Sequence, residues 1–255
     1  MSVPPALKAF ALTPSTAPRK SVPSAGRWAV GLLFGLVLSA CAQHPGTVRL
    51  DPGAQPMPGA KVLIMQPDVE VSELTVGGLL EPNAAWTAAA EANIDQALER
   101  VLAAQGARWV HLNPRGKLIR TPAVSQLVKL HGVVGASILI HDYGVGAPLP
   151  NKDGKFDWTL GKDAAILGKA YKADYALFVY FRDSFSSDAR VALNVLTALV
   201  GAGVRGGQQV GFASLVDLRS GKIVWFNVMA RGTGDLREAE AAVDASQVLL
   251  AELPF

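Results

Sequence analysis

A short apolar run, a long amphipathic stretch and a second short apolar run follow one another between Lys61 and Leu112, and no other feature constrains the fold as tightly. Lys61 to Met65 (KVLIM), with an extension toward Val71, reads as a buried strand. Pro82-Asn83 opens a helix predicted from about Ala84 to Gln105. Ala90, Ile94, Ala97, Leu98, Val101 and Leu102 share one face of it, Asn93, Asp95, Gln96, Glu99 and Arg100 the other, and Gly106 supplies the stop. Arg108 to Leu112 (RWVHL) is a second strand. Strand, amphipathic helix, strand is how an α/β domain begins.

The rest of the chain extends this pattern. Thr121-Pro122 is an N-cap followed by proline at the first helical position, and the predicted helix runs to about Ile140. Residues 144–161 read as a loop, Asp163 to Lys172 as a short helix, and Tyr175 to Arg182 (YALFVYFR) as a strand. Gln209 to Leu218 and Lys222 to Arg231 form a hairpin joined by Arg219-Ser220-Gly221. Gly221 is expected to need positive φ, and Trp225 to pack partly into the core. A last helix begins near Thr233–Asp235, with Leu236, Val243, Leu249 and Leu250 as core. The expected fold is a single α/β (α+β) domain: a mixed sheet with helices packed on it, ending in a β-hairpin and a helix.

Ahead of the domain, Trp28 to Ala40 (WAVGLLFGLVLSA) is 13 uncharged, mostly apolar residues. A bilayer span takes about 20, so the run fits the apolar region of an export signal, with Arg27 as its positive flank. It ends Leu38-Ser39-Ala40-Cys41, which resembles the bacterial lipobox. The alternative is an ordinary secretory signal or a short membrane helix with a coincidental cysteine. Cys41 is the chain's one cysteine and stands where the apolar run stops, which favours the lipobox. The resemblance implies cleavage after Ala40 by signal peptidase II and acylation of Cys41, an anchor worth roughly 0.8 kcal/mol for each buried CH₂. It also implies the periplasmic face of the outer membrane, because residue 42 is Ala and not the Asp that holds such proteins at the inner membrane. Residues 1–40 are thus read as signal, 41–60 (rich in Pro and Gly) as a flexible tether, and 61–255 as the domain.

This division changes the meaning of the charge. Lys8, Arg19, Lys20 and Arg27 account for four of the 24 basic residues and no acid lies among residues 1–40, so the remainder carries 20 basic against 21 acidic residues. The net charge of +3 therefore offers no argument for nucleic acid as a partner.

A further likeness rests on two stretches. Lys172-Ala173-Asp174-Tyr175 leads into a strand, and Leu215-Val216-Asp217-Leu218 precedes Ser220-Gly221-Lys222-Ile223-Val224-Trp225. These are similar to stretches in bacterial envelope α/β domains: the curli-secretion lipoprotein, the polysaccharide-secretion lipoproteins and the amino-terminal domain of TolB. The resemblance implies a structural hairpin (Ser220, Gly221, Trp225), a protein partner or homo-oligomer, and no catalytic residues.

Motifs for chemistry are weak. Gly201-Ala202-Gly203-Val204-Arg205-Gly206 matches G-x-G-x-x-G, but a predicted strand follows where a dinucleotide site needs a helix, so no nucleotide is expected. Asn151-Lys152-Asp153-Gly154 faintly resembles a calcium loop but places leucines, Leu149 and Leu160, at its first and last ligand positions, so it is a polar turn. His44, His111, His131 and His141 are scattered, and no cofactor or metal is expected. Asp183, Ser184 and Asp188, at the end of the YALFVYFR strand, are the best polar cluster. With the histidines, they carry the alternative reading of a hydrolase acting on cell-wall or surface material. Ala189 to Val204 is highly apolar. Val191, Val195, Ala198 and Leu199 fall on one helical face, with Leu193, Leu196 and Val200 on another. Core packing and a contact beyond the domain both fit it. Val195, Leu196 and Leu199 are the residues expected to make such a contact.

Overall fold

The computed structural model describes residues 48–51, 59–144, 147–198, 206–232 and 234–254. Leu38, Ser39, Ala40, Cys41, His44, Leu199 and the glycine run as far as Arg205 lie outside the described residues.

In chain order the elements are β1 (Arg49–Leu50), β2 (Lys61–Ile64), β3 (Asp68–Leu74), β4 (Leu80–Pro82), α1 (Ala84–Ala104), β5 (Arg108–His111), α2 (Pro122–Asp142), α3 (Ala165–Tyr171), β6 (Tyr175–Ser186), α4 (Asp188–Ala198), β7 (Gln209–Asp217), β8 (Ile223–Arg231) and α5 (Ala239–Leu249). One mixed sheet runs β1-β8-β7-β6-β2-β5. β2 pairs parallel with both β5 and β6, while β6, β7 and β8 pair antiparallel. The strand–helix–strand start is therefore a parallel βαβ unit, and the expected mixed α/β sheet is present.

Helices cover both faces. On one, α1 and α5 pack over Val62, Ile64, Leu177, Leu215 and Trp225. On the other, α2, α3 and the segment Phe156–Leu160 pack over Leu63, Ala176, Phe178, Phe212 and Phe226. Alternation along each strand sends successive side chains to opposite faces, so both layers are filled from the same strands.

The helix boundaries have local causes. The Asn83 side chain accepts from the Trp86 amide at 3.0 Å to start α1, and Gly106, at φ +72°, follows its end. Thr121 caps α2 by accepting from the Val124 amide, with Pro122 at the first position. Gly135 of α2 lies so close to the sheet that a Cβ there would meet the Phe212 ring at 2.2 Å.

Three differences from the sequence expectation matter for function. β6 is 12 residues long: its first part pairs with β2, and its second part, from Tyr180, pairs parallel with β3 on the same edge. Met65-Gln66-Pro67 separates β2 from β3, as Pro67 has no amide to donate to a ladder. Second, Arg49 and Leu50, inside the segment expected as tether, pair with Phe226 and Trp225 of β8. Third, the last helix starts at Ala239, later than expected, because Asp235 and Arg237 pair in a preceding turn that already buries Leu236.

The hairpin is built as expected and then locked. The Asp217 carboxylate accepts from the Arg219 and Ser220 amides at 2.6 and 3.0 Å, and Gly221 sits at φ +77°. The segment Trp158–Gly161 lies against the turn: the Leu160 amide and the Thr159 hydroxyl both donate to the Gly221 carbonyl. Trp225 is buried completely rather than partly, and its indole N–H has no acceptor among the described residues.

Candidate functional site

α4 is the feature that core packing does not explain. Ser187 starts it, accepting through its hydroxyl from the Arg190 amide and through its carbonyl from the Val191 amide. Asp188 in the first turn suits the positive end of the helix dipole. Arg190 is the buried residue of this helix, 6% exposed, and its guanidinium donates to the carbonyls of Thr75 and Val76 at 3.2 and 3.3 Å. Leu193, Asn194 and Thr197 are half-buried. Val191, Val195 and Leu196 are 49%, 61% and 64% exposed. The helix thus turns Arg190 inward and three aliphatic side chains outward, against the pattern of an ordinary surface helix, while Asp188 stays exposed in its first turn.

The carbonyls that Arg190 grips belong to the turn between β3 and β4. That turn is closed by Thr75, whose hydroxyl accepts from the Leu79 amide at 3.1 Å. It carries Val76 and Leu79, with Leu80 opening β4 beside them, all more than half exposed. Arg190 therefore ties two sets of outward-facing aliphatic residues together where the parallel strands β3 and β6 end. Scattered exposed aliphatics are normal, whereas these lie together on two adjoining elements, which makes them the candidate contact surface. Of the three residues expected in a contact, Val195 and Leu196 face outward.

Of the polar cluster expected at the end of β6, Asp183 and Ser184 line one small cleft of 130 Å³ and Asp188 does not. Asp183 is buried at 3% exposed and its Oδ2 accepts from Gln209 Nε2 and the Leu236 amide at 2.9 and 3.1 Å. Gln209 Oε1 in turn accepts from Arg231 Nε. This is a tie across β6, β7 and β8. Ser184 donates to the Gln208 carbonyl and accepts from the Gln208 amide, and Asp188 is exposed on α4. Burial pushes the Asp183 carboxyl up, partly opposed by the Gln209 and Leu236 hydrogen bonds. The folded state therefore holds this proton more tightly than the unfolded chain, and stability falls as pH rises above the ordinary carboxyl value of 3.8. Asp183→Asn is expected to raise the urea midpoint relative to wild type at pH 7 and to lose that advantage near pH 4. An advantage independent of pH would contradict this assignment.

The histidines do not converge. His131 is buried beneath α2, with Nε2 2.6 Å from Ser214 Oγ and its ring stacked on Phe178. His141 Nδ1 lies 2.8 Å from the Ala147 carbonyl. His111, ending β5, pairs with Glu99 of α1 at 2.7 Å. It lines a 310 Å³ cleft with Asp95, whose carboxyl is raised by burial and by Glu99 while His111 opposes the shift. Sequence reasoning did not single out this group. Its signal was the four-residue spacing of Asp95 and Glu99, facing the carboxyl end of a parallel strand. Among the described residues, no group of three or more His, Cys, Asp or Glu side chains is placed to hold a metal ion.

The chain is thus a three-layer α/β domain with an outward apolar site at one end of its sheet. No protein-family model matches it, and no curated protein does. Among solved structures, it is similar to a PelC dodecamer from Paraburkholderia phytofirmans that carries a leucine-to-methionine substitution, at 16% identity and a TM-score of 0.37, covering 82% of this chain and 98% of that one. A second PelC dodecamer structure from that organism gives 14% and 0.36, covering 82% and 97%. The LpoB C-terminal domain from Salmonella enterica gives 16% and 0.26, covering 70% and 85%. At these scores the likeness carries no argument.

Proposed function

We propose that the chain is a lipid-anchored envelope protein whose domain works by binding and assembly, with α4 and the β3–β4 turn as its contact to another protein, a second copy of the chain first of all. The observation that carries this reading is the inverted face of α4. Burying Arg190 removes it from water, and its two backbone carbonyl partners compensate. Placing Val191, Val195 and Leu196 outward instead of inward has no compensation among the described residues. Because these side chains are about half to two-thirds exposed, each returns roughly 1–2 kcal/mol when a partner covers it. Self-association in solution tests the reading.

The anchor is the other half. Cys41 takes the lipid, residues 1–40 are removed, and the domain stands on the periplasmic face of the outer membrane. The support is the lipobox Leu38-Ser39-Ala40-Cys41 at the end of an apolar run, followed by Ala42. Cys41→Ser is expected to abolish incorporation of a palmitate analogue in cells and to release or mislocalise the protein, since a hydroxyl cannot form the thioether. Equal labelling of wild type and variant would refute the anchor.

Against the hydrolase reading stands the condition of its residues: Asp183 and Ser184 spend their hydrogen bonds on neighbouring strands and turns.

A further inference from the structure

α2 and the turn before it form a second surface, distinct from α4. Val124, Leu127, His131, Gly135 and Ile138 face the sheet. Leu130, Val133 and Ile140 face out, 41%, 65% and 44% exposed, with Ala136 exposed between them. By length and composition α2 is apolar enough to cross a membrane, yet five of its residues are committed to the sheet, so it lies along the domain with an apolar stripe outward. Along this stretch of chain the charge is one-signed up to Asp142, which ends α2, while Asp68 and Glu91 share a cleft with Lys129 on the helix's other side. From Arg108 to His141 the chain carries Arg108, Arg115, Lys117, Arg120 and Lys129 and no acid, and Arg115, Lys117 and Arg120 are exposed in the turn leading into α2.

The amino-terminal chain also arrives at this helix. Arg49 pairs with Phe226, and its guanidinium donates to the Asp142 carbonyl at 2.9 Å and lies over the Tyr143 ring. Arg49 is therefore fixed at the carboxyl end of α2. Eight residue steps separate it from Cys41, a span of at most about 28 Å at full extension. That is similar to the length of α2 itself, roughly 30 Å for 21 residues. A lipid on Cys41 keeps this end of α2 close to the bilayer.

We infer that the outer face of α2 docks on the membrane: Leu130, Val133, Ala136 and Ile140 enter the boundary between headgroups and acyl chains, and Arg115, Lys117 and Arg120 meet anionic headgroups. A helix with one apolar stripe and basic flanks binds in the interface plane in this way, strengthened by anionic lipid. The inference rests on the anchor at Cys41. Its test supplies that anchor chemically, so failure of acylation in cells and failure of docking are separate results.

The 41–255 chain, which contains every described residue, is coupled through its Cys41 thiol to maleimide-headgroup lipid in vesicles of phosphatidylcholine and phosphatidylglycerol with brominated acyl chains. In Val133→Trp, and independently in Ile140→Trp, the added indole emission is expected to be quenched about twofold or more beyond the wild-type tryptophans, as insertion to acyl depth requires. Omitting phosphatidylglycerol, or replacing Arg115, Lys117 and Arg120 with Gln, is expected to halve that quenching or more. Quenching no greater than wild type in both tryptophan variants would overturn the proposal. So would a Val133→Glu substitution that dissociates an assembly in lipid-free solution, because the face would then belong to a second copy. Quenching indifferent to anionic lipid would overturn the role of the basic turn.

Discussion

Between pH 7 and pH 5 the domain is expected to lose about 2 kcal/mol of stability through His131 alone. The imidazole is enclosed by α2 above and Phe178 and Phe212 below, and among the described residues its hydrogen bond is to the Ser214 hydroxyl. Burial lowers its pKa from 6.5 to about 3. In that window the unfolded chain binds a proton that the folded domain refuses. The stabilisation is complete above pH 6.5 and is lost as pH falls toward 3, at up to about 1.4 kcal/mol per pH unit. The double variant His131→Phe with Ser214→Ala removes the titrating group and its partner together, so no buried donor is orphaned. Its denaturant midpoint, compared with wild type at pH 7 and pH 5, should lack this part of the acid dependence. Equal dependence in both proteins would show that His131 is not the source.

Gly221→Val is expected to cost on the order of 3 kcal/mol, from left-handed strain of about 1–2 kcal/mol together with weakened turn hydrogen bonds. The position is demanding twice over. Its φ of +77° disfavours any side chain, and a Cβ would stand 2.0 Å from the Gly161 carbonyl oxygen. The neighbouring backbone cannot move freely, because the Leu160 amide and the Thr159 hydroxyl both bond to Gly221 and the Ile223 amide donates to the Trp158 carbonyl. For a domain of this size, a loss on that order lowers the melting temperature by roughly 10 °C. Gly221→Ala meets the same carbonyl and should lose a large share of it. A melt within 2–3 °C of wild type for both, about 1 kcal/mol for a domain of this size, would contradict the locked turn.

Which parts of this fold could be read from the sequence follows from where each residue's partners lie. β2, β5, β6 and the β7–β8 hairpin announce themselves as short apolar runs between turn residues, because both faces of their sheet are covered. α1 and α2 carry their own start signals, Asn83 and Thr121-Pro122, and those caps are used. β3 is hidden because Pro67 interrupts the run and Glu70 and Glu73 break up its apolar pattern. Its identity as a strand depends on β6 continuing past Arg182 into the polar stretch Asp183–Ser186, which offers a second parallel partner. β1, two residues long, has no pattern at all and exists only because β8 presents an edge.

The candidate site was half legible. Periodicity placed Val191 with Val195 on one side of α4. It could not say which side faces the protein, since an apolar face is ordinarily assumed to point inward. Arg190 decides that, and its partners are the carbonyls of Thr75 and Val76, more than a hundred residues earlier in the chain. Asp183 failed as a catalytic candidate for a similar reason. A carboxylate at a strand's end reads the same whether it faces a cleft or is tied to Gln209 and Leu236.

The claim that this domain works by assembly is tested most directly by light scattering coupled to size exclusion, on the 41–255 chain carrying Cys41→Ser to exclude disulfide dimers, with circular dichroism on the same samples. This chain is expected to self-associate, and Leu196→Glu to yield a smaller species with an unchanged spectrum. A monomer at high concentration, or a Leu196→Glu chain that unfolds although this side chain is 64% exposed, would contradict it.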